Sequence, residues 1–317
     1  MLRRIVPLRL RRAVRSRLVR VTEDAIREPL ESLHVTERAH AASVASLAEA
    51  VSSLRSDTER MKDELSAQIA IVTNITASHF DRIPELRATL LSMRESEEYR
   101  CALSTKEPLV SVRIATYNRG TVLFERTIPS VLAQGYENLE VVIVGDGCDD
   151  DTEERARRMR DSRVRFVNMP HRGVYPAEPQ HRWMVAGSPA MNLGAALSRG
   201  LWLAPLDDDD EFAPDHIEVL LQAALQGELE MAYGKYWAMT PPPWEPHARG
   251  TFPPEYGYFG FQTAIYMRAL RFFQYETRSW VLNEPGDWNL CRRMREAGVR
   301  MGFVDRVVTT VYPTGPR

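Results

Sequence analysis

From Pro108 onward, short β-rich runs alternate with helical stretches that close on glycine, and few folds accept that rhythm. Residues 109–115 form a β-rich run, and 122–134 are helical up to Gly135. A continuous apolar strand follows at 139–144, a charged helix at 152–160 and a short strand at 164–167. An alanine-rich helix spans 189–198 and closes on Gly200; 201–206 is the next strand. The pattern continues with a helix at 214–226, a strand at 230–237, a helix at 286–297 and a strand at 300–304. Strands alternating with helices predict an α/β fold whose mostly parallel sheet is covered on both faces. In such sheets ligands gather beyond the carboxyl ends of the strands. Residues 240–258, rich in proline, glycine and aromatics, read as a long irregular loop suited to a lid or an acceptor surface.

Composition changes near residue 105. Upstream of it glycine is absent and Ala, Ser, Glu, Arg and Leu dominate, which is helical material. Apolar or neutral residues recur there at steps of three and four: Val44, Leu47, Val51, Leu54, Thr58, Met61, Leu65, Gln68, Val72 and Ile75. That spacing predicts a coiled-coil seam over 44–75 and a homo-oligomer formed through it. Packing of one amphipathic helix against the body of the protein is the alternative. Pro84 is expected to break the helix, with a second piece running to about Tyr99. The domain reading is therefore 1–105, a basic arm and helical coiled-coil region, followed by an α/β domain over 106–317.

The first twenty residues carry eight arginines and no acid, although the net charge of the chain is only -2. This local basic arm could lie on the inner face of a membrane as a peripheral helix, with Ile5, Val6, Leu8, Leu10, Val14, Leu18 and Val19 available for its apolar side. A solvated basic helix is the equal alternative. No run is long enough to span a bilayer. Three widely spaced cysteines make neither a disulfide framework nor a metal set, which points to a reducing, cytoplasmic compartment. Nothing indicates nucleic-acid binding.

Three polar clusters follow predicted strands. Thr116-Tyr117-Asn118-Arg119 follows the first, Asp146-Gly147-Cys148-Asp149-Asp150-Asp151 the second, and the four consecutive aspartates Asp207 to Asp210 the strand at 201–206. In an extended segment Asp207 and Asp209 would point the same way. Oxygen-only ligands at a strand end suit a hard cation such as Mg²⁺ or Mn²⁺ shared with phosphates. A solvated acidic turn ahead of a helix is the plainer possibility for any one cluster. Their joint placement predicts one acidic cleft, which would repel a nucleotide's phosphates unless a metal bridged them.

The ordered series Val110-Ser111-Val112, Thr116-Tyr117-Asn118-Arg119, Glu140 to Gly147, Asn192-Leu193-Gly194-Ala195-Ala196 and Leu206 to Asp210 with Pro214-Asp215 resembles the family 2 glycosyltransferases of GT-A fold. The resemblance covers about residues 108 to 305. It implies a GT-A (Rossmann-like) body and an inverting, metal-dependent, hexosyltransferase-type transfer. The donor implied is a nucleotide sugar, specifically a UDP-sugar, and the acceptor a saccharide or lipid-linked hydroxyl in polysaccharide or glycolipid assembly. Carried over by position, Thr116, Asn118, Arg119 and Asn192 lie by the donor, Asp146 hydrogen-bonds the uracil ring, and Asp208 approaches the sugar or ribose. Asp207 and Asp209 match the metal-binding Asp-x-Asp, with Asp207 also on the donor side and Mn²⁺ or Mg²⁺ as cofactor. Gly286-Asp287-Trp288-Asn289-Leu290 resembles the segment of the catalytic base, which makes Asp287 the group that deprotonates the acceptor, with Glu284 as substitute.

Departures accompany these matches. Gly145 stands where the family often has an aspartate, Cys148 where it often has serine, and Met191 where an arginine often precedes Asn192. Arg182, in an unusually long segment 175–188, could restore positive charge near a diphosphate. Two other functions compete: a non-catalytic GT-A-like scaffold acting through its coiled coil, and a sugar nucleotidyltransferase. The latter ordinarily needs a glycine-rich basic loop after the first strand, where 116–120 offers only Arg119.

Overall fold

The computed structural model describes residues 8–240 and 246–313. The first seven residues of the arginine-rich arm and Trp244 of the aromatic loop lie outside the described residues, as do the side chains of Leu8, Leu10, Val14 and Ile75. Two compact units divide the chain, Met1–Asn74 and Ile75–Arg317.

The first unit belongs to one helix, α1 (Leu8–Asp81), of 74 residues. At about 1.5 Å per residue such a helix extends roughly 110 Å. Most of its predicted seam faces solvent: Val44 and Leu47 are each 65% exposed, Leu54 64% and Val72 62%. No helix among the described residues is long and apolar enough to cross a membrane.

The break after α1 comes at Arg82, whose φ of 47° is left-handed. Pro84 then sits in the first turn of α2 (Ile83–Arg94), where its missing N–H has no helical partner to lose. Ser96 caps α3 (Glu97–Ser104) by accepting from the Tyr99 N–H. Composition groups 83–104 with the N-terminal region, yet these helices pack within the second unit. Leu90, Tyr99 and Ala102 enter its core, and the Trp202 indole N–H donates to the Ala102 carbonyl at 3.0 Å. Fully buried Glu230 accepts from Arg94 at 2.6 and 2.9 Å, from the Tyr99 hydroxyl at 2.6 Å and from the Arg300 N–H at 2.7 Å. Burial alone would raise the pKa of this carboxyl; these four donors lower it instead.

The α/β body begins with β1 (Val110–Thr116). Next come α4 (Gly120–Val122), a π-helical turn (Leu123–Thr127), α5 (Ile128–Leu132), β2 (Leu139–Gly145), α6 (Thr152–Arg158) and β3 (Val164–Asn168). Then follow α7 (Pro179–Val185), α8 (Ser188–Leu197), β4 (Trp202–Asp207), β5 (Glu211–Phe212), α9 (His216–Gln226) and β6 (Met231–Met239). The last elements are β7 (Pro246–Arg249), β8 (Ala264–Met267), α10 (Gly286–Ala297) and β9 (Met301–Val311). Every residue of β2 is buried, as its unbroken Val/Ile run requires of a strand covered on both faces.

The sheet order is β3-β2-β1-β4-β8-β6-β9-β5, with β7 paired to β6. β3, β2, β1 and β4 are parallel, and so are β6 and β9. The expectation of a mostly parallel sheet is corrected here: β8 runs antiparallel to both β4 and β6, and β5–β9 and β6–β7 are antiparallel too. A parallel return needs a crossover, usually a helix. No α-helix covers the return from β6 to β8 among the described residues, and the chain re-enters the sheet reversed. Residues 240–258 are also less irregular than expected, since β7 lies within them. β9 runs well beyond the predicted end at 304, shifting register against β6 near Gly234 and Lys235, and so carries Val311 and Tyr312 back to the acidic run.

Candidate active site

The carboxyl ends of β1, β2 and β4 open on a cavity of about 510 Å³ lined by Thr116, Asn118, Arg119, Asp146, Asp207 and Asp208. Thr116 ends β1 and donates its hydroxyl to Asp208 at 2.8 Å. Asn118 takes a left-handed φ of 52° and exchanges two hydrogen bonds with Asp149, fixing the turn after β1 to the turn after β2. Asp146 is buried, accepting from the Gly173 N–H at 2.9 Å and the Tyr175 hydroxyl at 2.5 Å. Burial raises the pKa of that hydroxyl, so it stays a donor. The Arg172 guanidinium lies 3.7 Å from the centroid of the Tyr117 ring, and both residues line the cavity beside Arg182. Arg119, Arg172 and Arg182 thus share this cavity with the carboxylates Asp146, Asp207 and Asp208.

The last three of the four aspartates do not continue the strand. Asp207 ends β4, and the Asp210 N–H returns to its carbonyl at 3.3 Å, closing a turn. Four adjacent carboxylates cannot stay extended together without mutual repulsion, and the turn separates their destinations. Arg119 bridges Asp208 at 3.1 Å and Asp209 at 2.6 Å. Asp210 is 1% exposed and accepts from the Tyr312 N–H at 2.9 Å. Burial, reinforced by the charges of Asp207 and Asp209, holds its carboxyl well above the ordinary aspartate range. Asp207, Asp209 and Asp210 nonetheless face a common cavity. An all-oxygen donor set with excess negative charge suits a hard divalent cation, which would share Asp209 with Arg119. Among the described residues no group of three or more His, Cys, Asp or Glu side chains could hold a metal by itself. Phosphate oxygens and water would have to complete the coordination, which is the usual habit of Mg²⁺.

A second cavity of about 410 Å³ meets the first at Asp207, Ala186 and Met191, and contains Asp287. Asp287 stands in the first turn of α10, where the helix dipole favours a carboxylate. It accepts from the Phe261 N–H at 3.1 Å and the Tyr275 hydroxyl at 2.9 Å. Burial raises its pKa; these two donors and the charge of Arg113 oppose the rise. Trp183, Tyr256 and Trp288 line the same cavity, offering aromatic faces beside a carboxylate. A hydroxyl placed there would have a proton acceptor within reach of the acidic run.

The structure thus gathers Thr116, Asn118, Arg119, Asp146, Asp207, Asp208, Asp209 and Asp287 around two joined cavities. Asn192 lines neither: its amide donates to the Tyr275 carbonyl at 3.0 Å and accepts from the Tyr275 N–H at 2.8 Å. Glu284 is likewise turned elsewhere, accepting from Asn289 and twice from Arg292. Sequence reasoning assigned no role to Arg172, Tyr175, Tyr275 or Tyr312. Tyr175 lies in the segment whose length stood out. Tyr275 carries no sequence signal, because its neighbours 271–285 show no periodicity.

The Glycosyl transferase family 2 profile matches residues 111–178 and 180–296. Among curated proteins, Glycosyltransferase GlyG of Streptococcus pneumoniae is 29% identical over 131 residues, covering 41% of this chain and 39% of that protein. An Escherichia coli chondroitin synthase is 33% identical over 130 residues, covering 40% of this chain and 17% of that protein. The matched region thus spans well under half of either relative. In structure, Staphylococcus aureus TarS 1–349 in complex with UDP aligns with a TM-score of 0.50 at 15% identity, over 65% of this chain and 60% of that one. That likeness is one of fold.

Proposed function

Since the chain belongs to glycosyl transferase family 2, we propose that it moves a sugar from a UDP-sugar to a hydroxyl of a saccharide or lipid-linked acceptor. Polysaccharide or glycolipid assembly is the setting, in keeping with the chondroitin synthases among its relatives. One observation carries this proposal: the cavity at the ends of β1, β2 and β4 joins, at Asp207, a second cavity that contains Asp287. Donor and acceptor can then occupy neighbouring spaces, with the anomeric carbon between them.

In the proposed inverting reaction the acceptor oxygen attacks the anomeric carbon as the bond to the nucleoside diphosphate breaks. Asp287 takes the acceptor's proton. Asp146 reads the base edge, while Asp208, held by Thr116 and Arg119, presents to the ribose or sugar. Arg119 and Arg182 lie on the wall where the diphosphate charge would rest. Asp207 and Asp209 would hold Mn²⁺ or Mg²⁺, which when bound supplies Lewis-acid stabilisation of the leaving diphosphate. Residues 106–317 form the catalytic part in this scheme. The exposed seam of α1 pairs two copies of the chain, and the arginine-rich arm gives peripheral contact with a membrane.

The test is metal-dependent turnover of UDP-sugars by the purified chain. Loss of about 100-fold or more is expected in Asp287→Asn and in Asp209→Asn. Full activity in a chelator would remove the metal from the scheme. Absence of thermal stabilisation by any nucleotide with Mn²⁺ would favour a scaffold instead.

A further inference from the structure

Arg113 occupies the middle of β1, between Val142 of β2 and Pro205 of β4. It is only 3% exposed, and its Nε finds no hydrogen-bond partner. A guanidinium placed there is costly unless its charge is used. The aliphatic stem runs beside Gly194 of α8. The guanidinium lies 5.0 Å from the centroid of the Tyr275 ring, and its Nη2 donates to the Tyr275 hydroxyl at 3.0 Å. That hydroxyl spends its single proton on Asp287, at 2.9 Å. The backbone of Tyr275 is clamped from the other side by the two hydrogen bonds of Asn192.

We infer that Arg113 is a positioning residue that acts through the Tyr275 hydroxyl to keep the Asp287 carboxylate charged and aimed into the acceptor cavity. The inference rests on Asp287 being the base. A hydroxyl that accepts from a cation becomes a stronger donor, so the chain Arg113 → Tyr275 → Asp287 is polarised throughout toward the ionised carboxylate. Asn192 completes the device by fixing where the hydroxyl stands. The other groups that bear on this site are Tyr266 of β8, Cys291 of α10, and the aspartates 207, 209 and 210 across the cavity. None of these donates to Asp287. Burial favours its neutral form; the two hydrogen-bond donors and Arg113 favour the charged one.

The test follows the Asp287 carboxyl carbon by ¹³C NMR titration of the full chain, the signal being identified by its loss in Asp287→Asn. In Arg113→Met its midpoint should rise by about one pH unit or more. Tyr275→Phe removes the relay hydroxyl at nearly constant core volume and should raise the midpoint in the same direction, so the test survives if Arg113→Met does not fold. The acid limb of the kcat/KM profile should move with the midpoint, and Arg113→Lys should restore part of the shift. An unmoved midpoint in a folded Tyr275→Phe or Arg113→Met overturns the relay. Retained turnover in Asp287→Asn would instead remove the base, an outcome separable because the titration does not depend on activity.

Discussion

His216 allows a stability prediction to be worked through from the structure. It opens α9, is fully buried, and stacks on Phe212 with ring centroids 3.6 Å apart. Its Nδ1 lies 2.8 Å from the Val308 carbonyl, so the neutral ring carries its proton there and ties α9 to β9. Burial lowers its pKa from 6.5 to about 3. The folded state therefore keeps the ring neutral over a range in which the unfolded chain binds a proton. Stability rises with pH wherever the unfolded state holds more protons, so this residue removes stability as pH falls below about 6.5, down to about 3. Between pH 7 and pH 5 the loss is about 2 kcal/mol, from RT ln(1 + 10^(pKa − pH)) for the unfolded histidine. His216→Leu forgoes the Val308 bond at every pH but cannot protonate, so its stability should fall by about 2 kcal/mol less over the same interval. Urea unfolding followed by tryptophan fluorescence isolates the second unit, since all six tryptophans lie between residues 183 and 288. Parallel pH dependences in the two proteins would refute the assignment of a buried, neutral His216.

Two further outcomes are expected. A Cβ on Gly145 would stand 2.4 Å from the Asn168 carboxamide oxygen and 3.1 Å from both the Cys148 sulfur and the Phe166 ring. Gly145→Ala should therefore lose about 1–3 kcal/mol in thermal unfolding. It should also weaken nucleotide binding in calorimetry, because Asn168 braces the turn after Asp146 through both the N–H and the carbonyl of Cys148. Separately, Leu54 and Leu65, 64% and 58% exposed on α1, are where a second copy would pack. Changing both to Asp should convert a dimer to a monomer in sedimentation velocity, without altering turnover of the donor; an unchanged mass would end the coiled-coil proposal.

Much of the fold was legible because its elements are local. The unbroken Val/Ile run at 141–144 marked β2, and the alanine-rich stretch closing on Gly200 marked α8. β8 could not be read in advance. Four apolar residues after a 3-10 turn carry no period, and the direction of the strand follows from the missing crossover. The extension of β9 to Val311 was hidden similarly, since its polar and charged residues gain their meaning only beside β6 and the acidic run.

The sequence by itself determined which atoms meet at the sheet edge. Strand ends followed by Thr116, Asp146 and Asp207 must converge once β1, β2 and β4 lie parallel, because parallel neighbours share their carboxyl ends. Tertiary structure alone decided what each carboxylate does there. Asp207 still ends the strand, but a turn presents Asp208 and Asp209, with Arg119 held between them. Asn192 was drawn away to clamp Tyr275, and Asp287 came under the influence of Arg113, 174 positions earlier in the chain. Such pairings depend on distances across the fold and on the desolvation they impose, neither of which spacing along the chain encodes.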